Sequence, residues 1–293
     1  MKNIYGKNVL PALAETYPQL YLAPGDESIE KYKSVVRRGK APETKSLSHF
    51  ITDERDSCIT ESTPAGKIRI VTLNMREDFE TFLNIMANRC VKKEIPVTQG
   101  ASIIDGIANW KKINAYKEEY YKAELESGRL PDWPSEFKRF TTDKSNYLDA
   151  IILLGVGAYS GIPAERFGLE HEEWIEYSHK IRKSHECTHF ICRRKYPLQK
   201  DAVWDEVVAD AIGIMAAFGK IDIAMEGVFL GVNESGYFGG RLENYVEAGE
   251  IDETAKKVYG LLLEIEKIAK EHIGIQPFDF VELLEEKQFE WWK

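Results

Sequence analysis

The sequence predicts an α+β fold, with a mixed α/β first half over residues 1–145 and a mostly helical second half over 146–293. Three observations predict it. In the first half an alternating run, Lys67–Leu73, gives way to a run of helical period, Glu77–Lys93. The run Ala150–Tyr159 has the length and apolar composition of a buried strand. Beyond it, four segments carry helical patterning: Leu169–Lys195, Asp201–Phe218, Asp252–His272 and Phe278–Trp292.

Each element follows from its residues. In KIRIVTL, Ile68 and Ile70 share one face and Lys67 and Arg69 the other, which is strand alternation. Phe79, Phe82, Leu83, Met86 and Cys90 then fall along one helical stripe, closed by Pro96. After the Thr98-Gln99-Gly100 loop comes another apolar segment, Ile103–Ile113. Tyr116–Lys144 is polar, carries Pro131 and Pro134, and reads as a linker or surface excursion. The strand at 147–159 contains Gly155 and Gly157, where another backbone can come close. The helix at 169–195 ends in Arg193, Arg194 and Lys195, cations that suit its dipole, and Pro197 stops it. Gly219 stops the helix at 201–218.

Composition narrows the partners. The 293 residues hold 48 acids and 39 bases, a net charge of −9, which argues against nucleic acid and anionic membrane. The longest apolar stretches, such as Ala150–Ser160 and Tyr259–Ile265, are too short to span a bilayer. Met1–Thr16 has no apolar core of a secretory signal, and Cys58, Cys90, Cys187 and Cys192 have no framework spacing. A reduced, cytoplasmic protein is the expectation; oligomeric state stays open.

One pattern carries chemistry: His185-Glu186-Cys187-Thr188-His189, an HExxH inside a predicted helix. Residues four apart lie on one helical face, so both imidazoles can point at a single divalent ion. Glu186 is turned about 100° from His185, off the ion yet near enough to take a proton from an activated water. A catalytic zinc takes three protein ligands and keeps one position open. Seventeen residues past His189 stands Glu206, and Asp210 follows one turn later on the same face. The short connection between Pro197 and Asp201 turns this second helix back over the first.

HExxH followed by Glu206-Val207-Val208-Ala209-Asp210 resembles the gluzincin metallopeptidases, in the ExxAD version of the minigluzincins and prenyl-tail-processing peptidases. The resemblance covers about residues 169–219 and implies a zincin-like catalytic core. It also implies one Zn2+ per chain on His185, His189 and Glu206, with Glu186 as general base and Asp210 as the carboxylate that orients a ligand imidazole. A peptide or protein is the implied substrate. The resemblance further implies that the strand ending at Tyr159 offers an edge to an extended peptide. The chain lacks the membrane spans of that family's integral-membrane branch.

Other residues carry weaker signals. Tyr237, Arg241 and Tyr245, beside Gly239-Gly240, suit a rim for the oxyanion of a tetrahedral intermediate, though turn chemistry alone also explains the glycines. Cys187 and Cys192 read as packing residues, His171 and His179 as surface residues, and Trp291 and Trp292 as core or surface residues rather than a partner-binding pair. Asp205 lies off the Glu206/Asp210 stripe and is expected to face solvent or to sit near the helix start. The sequence therefore points to a zinc-dependent hydrolase, foremost a metallopeptidase. A metal-dependent amidase on a small molecule and a non-catalytic zinc module are its rivals.

Overall fold

The computed structural model describes residues 3–25, 29–199, 201–287 and 292. The chain is mixed α and β and forms two units, one of residues 1–60, 69–95 and 103–155, the other of 61–68, 96–102 and 156–293. The second unit thus begins its long continuous stretch ten residues later than 146, and it takes in two short segments of the first half.

The first unit is built from β1 (Ile4–Tyr5), α1 (Val9–Ala14), α2 (Ile29–Arg38), β2 (Ser57–Thr63), β3 (Gly66–Leu73), α3 (Arg76–Met86), β4 (Ala101–Ala108), α4 (Trp110–Glu126), α5 (Trp133–Phe140) and β5 (Leu148–Gly155). The ends of β2, β3 and β4 run into the segments assigned to the second unit. The strands form one mixed sheet in the order β1-β2-β3-β5-β4. β1 pairs antiparallel with β2, and β3 pairs parallel with β5 from Arg69↔Ile151 to Leu73↔Gly155. Val71, Leu73, Ile151 and Leu153 cluster with Leu10, Leu13, Phe79 and Phe82, while Ile70, Ile152 and Leu154 are buried on the opposite face. Burial on both faces explains the unbroken apolar run.

Three expectations change here. β5 stops at Gly155 and lies between β3 and β4, so both its edges are used and it offers none to a peptide. α3 ends at Met86, because Arg89 and Cys90 take left-handed conformations and Asn84 turns the chain by bonding both backbone groups of Lys93. Most of 116–144 is helical, in α4 and α5. Ile113 is the one residue α4 buries, so its sequence reads as polar, and Pro134 sits in the first turn of α5, where proline is tolerated.

The second unit contains α6 (His171–Lys195), α7 (Ala202–Phe218), α8 (Ile223–Leu230), the short strands β6 (Val232–Asn233) and β7 (Gly236–Tyr237), α9 (Ile251–Glu271) and α10 (Pro277–Lys287). Asp201 caps α7 by accepting from the N–H groups of Val203 and Trp204. Val207, Val208, Ala211 and Ile212 of α7 join Val258, Leu261 and Ile265 of α9 and Phe280 and Leu284 of α10 in one core. A Cβ on Gly213 would stand 2.9 Å from the Ile181 carbonyl oxygen, so glycine sets how closely α6 and α7 approach. Trp292 donates to Asp201, and Trp291 lies outside the described residues. Among the described residues no helix is long and apolar enough to cross a membrane.

Asp149 on β5 accepts from Tyr17 Oη (2.6 Å), Asn109 Nδ2 (2.7 Å) and Lys112 Nζ (2.6 Å). Burial works to raise its pKa, yet Lys112, Tyr17 and Asn109 together hold it below the ordinary 3.8. A lowered folded pKa contributes stability that is full above pH 3.8 and is lost as pH falls through the folded value. Asp149→Ala should therefore cost about 2–3 kcal/mol at neutral pH, with the deficit shrinking in acid. Urea unfolding at pH 7 and pH 3 checks this; a neutral-pH loss under about 0.5 kcal/mol would contradict it.

Candidate metal centre

On α6, residues 178, 182, 185 and 189 form one stripe, all buried. Facing it, α7 runs the opposite way: Gly213 lies at Ile181, Asp210 at His185 and Glu206 at His189. Two helices held antiparallel thus bring the HExxH and ExxAD patterns together.

Three donors converge. His185 Nε2 and His189 Nε2 are 3.0 Å apart. Glu206 Oε1 lies 3.2 Å from His189 Nε2, and Oε2 lies 3.6 Å from His185 Nε2. Tetrahedral zinc with ligand bonds of about 2.0–2.1 Å sets its ligand atoms about 3.3 Å apart, and these three spacings bracket that value. The donor set, two imidazoles and a carboxylate, also suits zinc. Among the described residues this is the one cluster of three or more such groups able to hold a metal ion.

Behind the cluster sits a carboxylate with no exposed surface. Asp210 Oδ1 is 2.9 Å from His185 Nδ1, the ring nitrogen turned away from Glu206, and accepts from Tyr159 Oη at 2.6 Å. Its Oδ2 is held by Arg241 Nη2, while Arg241 Nη1 stands 3.8 Å from Glu206 Oε2. Burial works to raise the pKa of Asp210, but the Arg241 charge and the His185 hydrogen bond hold it well below the usual carboxylate range. Burial likewise opposes ionisation of Glu206, yet the hydrogen bond from His189 and the two imidazoles hold it at about 2. Both acids are therefore anionic, as a ligand and its orienting partner must be.

The other site residues divide. Glu186 is half-buried beside His185, and among the described residues its carboxylate has no hydrogen-bond or salt-bridge partner. Tyr245 lies near Glu206, and burial followed by that carboxylate's charge pushes its pKa up. Arg241 corrects an expectation. Both its terminal nitrogens face Asp210 and Glu206, so it orients carboxylates and does not line an open rim. Tyr237 is not brought to the cluster; its hydroxyl meets Gly240 and Glu243. Arg241 is aimed inward because its loop is pinned: Gly231 and Gly240 pass so closely that a Cβ on either would strike the other's backbone at 2.3 Å.

Cys187 and Cys192 are buried, and burial pushes the Cys187 thiol up to about 12, which fits packing and not ligation. Asp205 stands near the start of α7, in its first turn, and is partly buried rather than solvent-facing, with Oδ1 enclosed and without a hydrogen bond among the described residues. His179 is half-buried and His171 exposed.

Two members of the site escaped the sequence reading. Tyr159 stands 26 residues before His185, outside any helical spacing rule, and was absorbed into an apolar run. Glu226 of α8 is fully buried, and neither carboxylate oxygen has a hydrogen-bond partner among the described residues. Burial, followed by the charge of Asp210, pushes its pKa well above the usual value and holds it neutral. An acid between two patterned helices and a glycine loop leaves no signature beyond an ordinary amphipathic Glu.

Fold and site define an α+β protein with a possible metal-binding His/His/Glu cluster. Residues 2–276 match a family of unknown function, DUF7005, and the chain belongs to that family. No curated protein and no solved structure matches it.

Because Asp210 holds the far nitrogen of His185, Asp210→Ala should weaken zinc binding about 10–100-fold, and Asp210→Asn, which keeps an acceptor oxygen, should weaken it less. Competition against a chromophoric chelator gives both values. Equal affinity in Asp210→Ala and the parent chain would remove Asp210 from the site.

Proposed function

We propose that this protein is a zinc-dependent hydrolase, most specifically a metallopeptidase of gluzincin type. α6 and α7 supply the two site helices of a zincin-like core. The observation that carries the reading is the convergence of His185, His189 and Glu206, with Asp210 bonded to the outward nitrogen of His185.

Zinc held by these residues would supply Lewis acidity, which activates water and polarises a carbonyl. The chain's own residues do the rest. Glu186 takes a proton from the attacking water and returns it to the leaving amine, the general base and then general acid of the reaction. It is suited to that task because, among the described residues, no hydrogen-bond or salt-bridge partner engages its carboxylate. Asp210 keeps His185 in one tautomer, and Arg241 fixes Asp210 and Glu206 relative to each other. Tyr245, near Glu206, is the candidate donor to the oxygen that gains charge as the carbonyl is attacked, a role that needs its one proton turned away from that carboxylate. The substrate is a peptide or protein, recognised without the edge of β5.

A purely structural zinc fills four protein positions. Three converging donors, beside a Glu186 carboxylate with no hydrogen-bond or salt-bridge partner among the described residues, favour catalysis over that role.

The test separates binding from chemistry. Glu186→Gln should keep the fold and bound zinc but abolish cleavage of a peptide library, since an amide cannot accept the proton. Mass spectrometry of the library reads turnover. Cleavage at the parent rate in Glu186→Gln would take Glu186 out of the mechanism. Cleavage of none of the peptides by the zinc-loaded parent, alongside hydrolysis of small amides, would replace the peptidase reading with that of an amidase.

A further inference from the structure

We infer that Tyr159 is a positioning residue that, together with Asp210, locks the tautomer of His185, an assignment resting on the zinc reading of His185, His189 and Glu206. The phenol oxygen is 3.0 Å from His185 Nδ1 and donates to Asp210 Oδ1 at 2.6 Å. Its single proton is spent on the carboxylate. Toward His185 the phenol therefore presents only lone pairs, and so does Asp210. With an acceptor on each side, Nδ1 must carry the ring proton. In the neutral ring Nε2 is then bare and aimed at His189 and Glu206, as ligation of a metal ion requires.

The placement of Tyr159 is built, not incidental. Its backbone N–H donates to Ser178 Oγ at 2.9 Å. Arg182 Nη1 donates to the Gly157 carbonyl at 2.7 Å and Nη2 to the Ala158 carbonyl at 2.6 Å. Ser178 and Arg182 occupy the same α6 stripe as His185 and His189, so one helix face carries the two imidazoles and also grips the turn that returns Tyr159 to them. The ring is enclosed, with 4% of its surface exposed, between Phe229 at 4.8 Å and the Arg241 guanidinium at 5.1 Å.

Tyr159→Phe removes one oxygen and keeps the ring packed on Phe229. We expect it to fold as the parent does, by circular dichroism, and to bind zinc about 10-fold more weakly in chelator competition. A structural role alone would not move a second readout, the imidazole nitrogen NMR signature of His185. In the zinc-loaded parent Nδ1 should carry a slowly exchanging proton, and in Tyr159→Phe that proton should exchange faster. Parent-like affinity and exchange in Tyr159→Phe would overturn the assignment while leaving the zinc reading intact. Failure of the parent itself to bind zinc would instead overturn the zinc reading.

Discussion

A carboxylate stripped of all solvent costs several kcal/mol unless donors surround it, and the candidate site is organised around one such group. Asp210 has no exposed surface, and three donors meet it: the Nδ1 of His185, the hydroxyl of Tyr159 and a terminal nitrogen of Arg241. Each comes from a different part of the second unit. Satisfying one buried charge therefore fixes α6 against α7, brings the 156–161 turn onto both, and draws in the loop after β7. The convergence of His185, His189 and Glu206 is a consequence of that arrangement. Removing any donor would leave a buried anion short of a partner, which makes the geometry hard to relax.

The same constraint explains the close contacts around it. Gly213 lets α7 approach Ile181, and without that approach Asp210 could not reach His185 at 2.9 Å. The Gly231–Gly240 crossing brings the Arg241 guanidinium to the carboxylate, offsetting a charge that one imidazole and one phenol would not. Glu226, held neutral by burial and the charge of Asp210, adds no third anion beside Asp210 and Glu206. The local charge balance is thus set by packing, with Asp210 and Glu206 ionised and Glu226 protonated.

What the sequence revealed follows from the range over which each signal acts. His185, Glu186, His189, Glu206 and Asp210 were legible because helical periodicity converts spacing directly into a shared face, and a short connection makes two such faces meet. The ends of α6, α7 and α9 were likewise readable from Pro197, Gly219 and apolar stripes. Tyr159 and the inward aim of Arg241 were not, because tertiary contacts over 26 to 51 residues place them and no local rule encodes those, and the burial of Glu226 is likewise set by the fold. α4 and α5 escaped for a different reason. A helix that buries little apolar surface is written in polar residues, and prolines at a helix start resemble prolines in a loop. β5 was read correctly as a buried strand, but strand order in a sheet is a long-range property, and its interior place between β3 and β4 came only with the fold.

The claim on which the account stands is that two imidazoles and one carboxylate of this chain form a zinc centre. X-ray absorption at the zinc edge of the zinc-loaded protein examines that directly. One zinc per chain is expected, with a shell of nitrogen and oxygen only, at about 2.0–2.1 Å, and the multiple scattering of two imidazoles. A sulfur scatterer at about 2.3 Å, which would place Cys187 or Cys192 on the ion, or a protein that holds no zinc after gel filtration, would contradict it.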